Sequence, residues 1–244
     1  MNLFLIVRGK YLVVLIVGAS GGIGQALAEN YASSGHRVIG TFYNTTPQGL
    51  SEKIELTLMD PTSETSVQST LSKIHSLDLV INCVGFLSSD DGLPEKTIRK
   101  FEPDGLEESI RVNTLPTLLV AKHAQRLLRQ SRQSVFATIS AKVGSIGDNQ
   151  LGGWYSYRIS KAALNMVLKT LSIEWSKSTP NCCVAALHPG TVSTKLSAPF
   201  VSEGKKHSVL SASQSAACMS KIVNNLRPLD TGRFWSWNGE EICW

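Results

Sequence analysis

Tyr157 and Lys161 stand four residues apart in the run Y157-R-I-S-K161. On a helix this spacing puts the phenol and the ammonium on one face, a single turn apart. A phenol ordinarily titrates near pH ~10, and a cation at close range favours the phenolate. A tyrosine tuned in this way can give a proton to a carbonyl oxygen, or take one from an alcohol, near neutral pH. Tyr155 is close by, but its partner one turn on is Ile159, so the lysine selects Tyr157. Ser140 closes A137-T-I-S140, 17 residues before Tyr157 and across a glycine-containing loop, and its hydroxyl can orient a carbonyl. Asn113, in R111-V-N-T114, reads as a mid-helix residue.

A second motif lies near the start of the chain, G18-A-S-G-G22-I-G24, and comprises Gly18, Ser20, Gly22, Ile23 and Gly24. Its glycines allow a tight turn and let backbone N–H groups approach a pyrophosphate, while a helix opening there adds a partial positive charge. The motif follows an apolar run ending at Val17 and opens a helical stretch, the setting in which a glycine loop reads as a nucleotide grip. A nucleotide grip beside a tuned acid/base tyrosine is the equipment of hydride transfer.

The second strand should end against the adenosine ribose. An NAD-selective site places Asp or Glu there, about 20 residues past the loop. This chain instead reads Thr41-Phe42-Tyr43-Asn44-Thr45, with no acid before Glu52 and no arginine. Ser20, Asn44 and Thr45 can hydrogen-bond a phosphate. The missing carboxylate favours NADP(H), with NAD(H) still open.

These residues need a frame. Apolar, β-rich runs at 11–17, 37–42, 54–58, 79–83, 134–140, 183–188 and 233–237 alternate with helical stretches at 24–34, 63–74, 106–129, 154–176 and 212–225. Most of the strands are continuously apolar, as strands covered on both faces are. The alternation predicts right-handed βαβ units and an α/β fold, a three-layer doubly wound parallel sheet, as one domain over residues 1–244. Loops at 87–104 and 193–208 should flank a site at the carboxyl ends of the strands. Leu196, Pro199 and Phe200, with Trp154, would give that site an apolar or aromatic roof.

Composition narrows the class further. The 244 residues are 42% hydrophobic and 18% charged, ordinary for a soluble enzyme. The net charge of +5 suits an anionic ligand, but it is scattered, with no basic run longer than Lys205-Lys206, which argues against nucleic acid. Cys83, Cys182, Cys183, Cys218 and Cys243 form no C-x-x-C pair and their number is odd. They indicate neither a zinc site nor a disulfide framework, and fit small buried side chains in a reducing cytoplasm. Arg8, Gly9 and Lys10 interrupt the apolar start of the chain, leaving no run of the ~20 residues a membrane span needs. Residues 1–8 read as an added edge strand or a tail.

Taken together, the motifs resemble those of the short-chain dehydrogenase/reductase family over nearly the whole chain. The glycine loop, N82-C-V-G85, Asn113, Ser140, Tyr157/Lys161 and P189-G-T-V-S-T194 fall in the family's order and spacing. The resemblance implies a Rossmann fold and a carbonyl or alcohol substrate. It implies that Tyr157 is the general acid/base, that Lys161 lowers its pKa and binds the nicotinamide ribose, and that Ser140 polarises the carbonyl. By the same resemblance Asn113 holds a water in a proton relay, and Pro189, Gly190, Val192 and Thr194 line the nicotinamide side. Asp60 matches the residue that contacts adenine, and Asn82 and Gly85 the segment beneath the adenosine ribose. Departures from the pattern are Val17 for the usual threonine of the glycine motif and Cys83-Val84 for Asn-Ala. The segments 83–96 and 187–194 and the end G-R-F-W-S-W-N-G-E-E-I-C-W resemble C-factor-like members, linked by name to cell–cell signalling. That leaves a second class of function, a dinucleotide-binding sensor or signalling protein with little turnover. Family members pair through the helices that carry Asn113 and Tyr157, so a homodimer or homotetramer is implied.

Overall fold

The computed structural model describes residues 11–87, 93–197 and 209–244. Residues 1–8, Pro199, Phe200 and parts of the two long loops lie outside the described residues. Among the described residues seven strands form one sheet: β1 Val13–Val17, β2 Arg37–Phe42, β3 Ile54–Leu58, β4 Leu79–Asn82, β5 Ser134–Ile139, β6 Cys182–His188 and β7 Arg233–Ser236. Among the described residues six α-helices accompany them: α1 Gly22–Ser33, α2 Glu64–Leu71, α3 Pro103–Asn113, α4 Leu115–Leu128, α5 Tyr155–Ser178 and α6 Ala212–Asn225.

The strand order is β3-β2-β1-β4-β5-β6-β7, and every neighbouring pair is parallel. The order reverses between β1 and β4, which opens a crevice at the carboxyl ends of those two strands.

The sheet is covered on both faces, which is why its central strands are apolar throughout. Leu15, Val17, Phe136 and Val184 meet Val67 and Leu71 of α2, Val120 and Leu127 of α4, and Leu164, Leu168 and Trp175 of α5. Their alternating neighbours Val14, Ile16, Ile81, Ala137 and Ala185 meet Leu27 and Tyr31 of α1 and Met219 and Val223 of α6. Successive strand residues point to opposite faces, so both sets must be apolar. The two edge strands depart from this. β3 is half open to solvent, with Glu55 paired to Arg37 of β2 at 2.7 Å. β7 alternates, and its outer edge is met by residues that follow it. The Ser236 N–H bonds the Glu240 carbonyl at 2.8 Å, and the Ile242 N–H bonds the Phe234 carbonyl at 2.7 Å. Paired in this way, the edge offers fewer open groups to another chain.

The single helix expected over 106–129 is two, and the break falls at Thr114. Pro116 is the cause. It has no N–H to give to the preceding turn, and its ring crowds the carbonyl four residues back. The Thr117 N–H bonds the Thr114 carbonyl at 3.1 Å, a tighter turn than the α-helix makes. Asn113 is therefore the last residue of α3, not a mid-helix residue.

Candidate active site

The crevice holds a cleft of about 470 Å³ lined by Gly18, Ser20 and Gly21 of the glycine loop, Thr41–Asn44 at the end of β2 and just beyond it, Asp60 and Thr62 after β3, and Val84 and Gly85 after β4. Gly18 adopts φ +84°, open to glycine at little cost, and a side chain on Gly24 would collide with the Gly18 carbonyl oxygen. The loop is thus wound tightly onto the start of α1, with Ile23 half-buried in its first turn. The hydroxyl lost at Val17 is replaced from another strand. Thr41, buried at the end of β2, accepts the Gly18 N–H at its Oγ1 (3.3 Å) and the Ala19 N–H at its carbonyl (2.7 Å).

Of the expected cofactor residues, Gly18, Ser20, Asn44, Asp60 and Gly85 line this cleft. Asn44 is exposed at the rim, and Asp60 is fixed by the Thr62 N–H and hydroxyl, each at 2.8 Å. Asn82 is buried and does not face the cleft. Its amide donates to Thr117 Oγ1 (2.9 Å) and its Oδ1 accepts the Val84 N–H (3.1 Å), bracing the turn that carries Gly85. Arg111 and Glu108 of α3 also line the cleft, 3.2 Å apart, and sequence spacing gave no sign that α3 would reach it.

The loop after β6 reaches the glycine loop at Thr194. The Pro189 carbonyl is held by the Ser215 hydroxyl of α6 at 2.7 Å, and Gly190 adopts φ +81° against the Trp237 ring. Val192 is buried and bridges to Leu210. Thr194 arrives beside the glycine loop, where a Cβ on Gly22 would stand 3.0 Å from its methyl group. His188 accepts the Lys142 N–H at Nδ1 (3.3 Å), and burial, aided by the Lys142 charge, lowers its pKa to about 4, so the ring is neutral at pH 7.

The four residues expected to do chemistry sit on three elements that converge. Tyr157 and Lys161 are buried on one face of α5, with Lys161 Nζ 5.8 Å from the phenol ring centroid. Nζ donates to the Ile139 carbonyl at 3.2 Å, next to Ser140. A Cβ on Gly85 would lie 3.8 Å from Lys161 Nζ and 3.9 Å from Asn113 Oδ1, so the lysine, the asparagine and the β4 turn share one small space. The Asn113 amide is largely engaged there. It donates to the Phe86 carbonyl (2.8 Å) and to Ser160 Oγ (2.9 Å), and its Oδ1 accepts the Phe86 N–H (2.7 Å).

Two further residues were not visible as site residues in the sequence. Asn165, one turn beyond Lys161, accepts the Ser140 hydroxyl at 2.7 Å and donates to the Gly144 carbonyl at 3.1 Å. Gly144 packs so closely on α5 that a Cβ would lie 2.7 Å from the Lys161 carbonyl carbon and Cβ. Only the i+8 spacing of Asn165 from Tyr157 marks it as sharing that helix face.

The electrostatics differ from the sequence expectation in one respect. Burial lowers the Lys161 pKa from 10.5 to about 8, and burial pushes the Tyr157 phenol up, not down. Desolvation disfavours a phenolate more than this lysine, turned towards the Ile139 carbonyl, favours it.

The start of α5 is unusual. Gly152 (φ +63°), Gly153 (φ +64°) and Trp154 (φ +53°) are consecutive left-handed residues, and for a tryptophan that conformation costs roughly 1–2 kcal/mol. The Arg158 guanidinium gathers the carbonyls of Gly152, Gly153 and Val143 at 3.0–3.2 Å. The Trp154 ring stands edge-on to Tyr157, with centroids 6.2 Å apart and planes at 64°.

A parallel sheet with a nucleotide-sized crevice at its switch point, and a buried Tyr-x-x-x-Lys pair beside it, defines a dinucleotide-dependent oxidoreductase architecture. The chain belongs to the short chain dehydrogenase family, matching it over residues 12–205. It is 32% identical over 237 residues to the 1-hydroxy-2-glutathionyl-2-methyl-3-butene dehydrogenase of Rhodococcus sp. (strain AD45), covering 95% of this chain and 99% of that one. It is 31% identical over 139 residues to the C-signal protein of Myxococcus xanthus, covering 57% of this chain and 78% of that one. The NADPH-bound carbonyl reductase from chicken fatty liver shares the fold, with a TM-score of 0.84, 24% identity and coverage of 96% and 95% of the two chains. Among the described residues no helix is long and apolar enough to cross a membrane, and no group of His, Cys, Asp and Glu is arranged to hold a metal ion.

Proposed function

We propose that this oxidoreductase is an NADP(H)-dependent carbonyl reductase, or alcohol dehydrogenase in the reverse direction, working as one domain with Tyr157 as general acid/base. The observation that carries the reading is the burial of Tyr157 and Lys161 on one face of α5, with Lys161 Nζ beside Gly85, which lines the cleft. The residues fit a dinucleotide. The glycine loop is wound too tightly for a side chain at Gly24, and Thr194 closes on it from the opposite side. Gly18, Ser20, Gly22, Ile23 and Gly24 would hold the pyrophosphate end. Asn44, Asp60, Asn82 and Gly85 would shape the adenosine end, and Pro189, Gly190, Val192 and Thr194 the nicotinamide end. The acid-free rim at Thr41–Asn44 supports NADP(H).

When bound, the reduced nicotinamide supplies a hydride to the carbonyl carbon. Tyr157 supplies the proton, from its Oη to the carbonyl oxygen. Its raised pKa keeps the phenol protonated at neutral pH, so the cofactor-free site is set for reduction. The phenolate left behind is stabilised by the Lys161 ammonium, which remains largely protonated at pH 7 with its pKa lowered by burial to about 8. Ser140 orients the carbonyl. Its one proton is held by Asn165 in the resting chain, and the substrate oxygen competes for it. Asn113 keeps the β4 turn beside Lys161 and offers a water its main-chain carbonyl, from which the break at Thr114 diverts the Thr117 N–H.

Leu196, with its Cδ1 4.0 Å from a Cβ on Gly85, and Trp154 support an apolar or aromatic carbonyl substrate. The partner is a second copy of the chain. Ile159, Met166 and Ile173 recur every seven residues along α5 and are 42%, 65% and 59% exposed, an apolar stripe suited to helix pairing in a dimer or tetramer. A cytoplasmic setting suits the free thiols, of which Cys182 and Cys183 are buried.

The test is Tyr157→Phe, assayed with NADPH and a panel of aldehydes and ketones. Loss of turnover by 100-fold or more on the order of general acid–base catalysis, with NADPH binding intact, supports the reading. Turnover that survives the change defeats it. NADPH binding by the wild type with no carbonyl reduced would favour the sensor function of the C-signal kind.

A further inference from the structure

Helix α5 begins at Tyr155 without a cap of its own, because Trp154 makes no side-chain bond to the first turn. First-turn N–H groups need acceptors, and a helix whose start is partly buried must find them elsewhere. Here they come from Glu95, 61 residues back in the loop after β4. The Glu95 main-chain carbonyl accepts the Trp154 N–H at 2.5 Å. Its carboxylate accepts the Ser156 N–H at 3.3 Å with one oxygen and the Ser156 hydroxyl with the other. Ser156 is buried, so these bonds are shielded from solvent. A carboxylate on the first turn of a helix also complements the helix dipole. One residue therefore grips both sides of the turn that leads directly into Tyr157. The backbone of the same segment fills the space over the turn, since a Cβ on Gly153 would lie 3.4 Å from the Lys96 carbonyl oxygen and 3.6 Å from that of Glu95.

We propose that Glu95 is a positioning residue for the Tyr157 end of α5. By bonding the turn at Trp154 and Ser156 it holds Trp154 left-handed, with the indole edge-on to the phenol, and so restricts the approach to Tyr157 to flat, apolar carbonyl compounds. This rests on Tyr157 being the acid/base. The loop after β4 is thereby tied to the catalytic helix through a side chain, and the wall of the substrate site is set by a residue that does not touch the substrate.

The experiment uses the full chain with all five tryptophans replaced by 5-fluorotryptophan, Trp154→Phe identifying the Trp154 fluorine resonance. Glu95→Ala should move that resonance and leave the other four in place. It should lower kcat for NADPH reduction of 4-nitrobenzaldehyde about 10- to 100-fold, the scale of a misplaced catalytic group, with the KM for NADPH unchanged. Glu95→Gln keeps one acceptor and should recover most of both. Ser156→Ala removes a single bond and should shift the resonance less, which keeps the test open if Glu95→Ala fails to fold. A Trp154 resonance unmoved by Glu95→Ala or Ser156→Ala overturns the proposal, and so does a moved resonance with kcat unchanged. If the wild type binds NADPH and reduces no carbonyl, the parent reading fails instead, and the resonance alone decides whether Glu95 holds the turn.

Discussion

Gly144 rests on the backbone of Lys161: a Cβ at position 144 would come within 2.7 Å of the lysine's carbonyl carbon and Cβ. The short helical turn after Ser140 and the Tyr157/Lys161 face of α5 are therefore in contact with no side chain between them. Gly144→Ala should push the two apart at the point where Ser140 is fixed by Asn165. Overpacking of this kind costs about 1–3 kcal/mol. The expected result is a lower melting temperature together with a fall in turnover larger than the stability loss explains, read by thermal unfolding and steady-state kinetics on the same sample.

Lys161 gives a pH dependence with a definite sign. Burial depresses its pKa from 10.5 to about 8, so between those values the unfolded chain binds more protons than the folded one, and stability rises with pH. Below about pH 8 the cost of the buried charge is present in full, about 3 kcal/mol at 1.36 kcal/mol per pKa unit. Lys161→Met should melt above wild type at pH 7, and the advantage should shrink as pH climbs from about 8 to about 10.5. Denaturant unfolding across that range checks it. A lysine variant less stable than wild type at every pH would contradict the assignment of burial as the dominant cause.

Tyr43 stands at the carboxyl end of β2, half exposed and lining the nucleotide cleft where an acid is missing. Under the proposed NADP(H) reading, Tyr43→Asp adds a carboxylate at the acid-free rim of the cleft, which would repel a 2′-phosphate. NADPH should weaken by about tenfold or more, equivalent to about 1.4 kcal/mol, while NADH is held or strengthened. Parallel titrations of the two nucleotides by tryptophan quenching give the ratio. Equal weakening of both would place the phosphate elsewhere.

Thr41 braces the glycine loop from beneath through its hydroxyl and carbonyl. Thr41→Val keeps the shape and removes only the hydroxyl. The loss of one net hydrogen bond, about 0.5–1.5 kcal/mol, should appear as weaker binding of both nucleotides without a change in their ratio. This separates loop bracing from phosphate recognition at Tyr43.

Much of this architecture could be read from the chain because its signals are local. β2, β3 and α6 lie over the residues that periodicity assigns to them, since their patterns begin and end within the element. The long helix expected over 106–129 breaks because one proline outweighs an apolar repeat, and Pro116 was the visible warning. The candidate site was legible where it rests on spacing along one helix or one loop, as with Tyr157/Lys161 and Gly18–Gly24. It was not legible where one segment completes another across the fold. Thr41 stands in for the hydroxyl absent at Val17, Asn165 and Gly144 hold the surroundings of Ser140, and Glu95 caps a helix 61 residues away. The direction of the Tyr157 shift was also out of reach, because it depends on how deeply the ring is buried, not on which residue is its neighbour.

The left-handed turn before α5 has a consequence for how this site can change over generations. At Gly152 and Gly153 the left-handed backbone itself excludes most side chains. Trp154 carries a full side chain in the same strained geometry. Variation in the wall beside Tyr157 is therefore channelled to one position. Replacements at 154 can reshape the approach to Tyr157, with asparagine and aspartate the least strained there, while the two positions before it stay glycine. The turn works as a fixed mount with one interchangeable part.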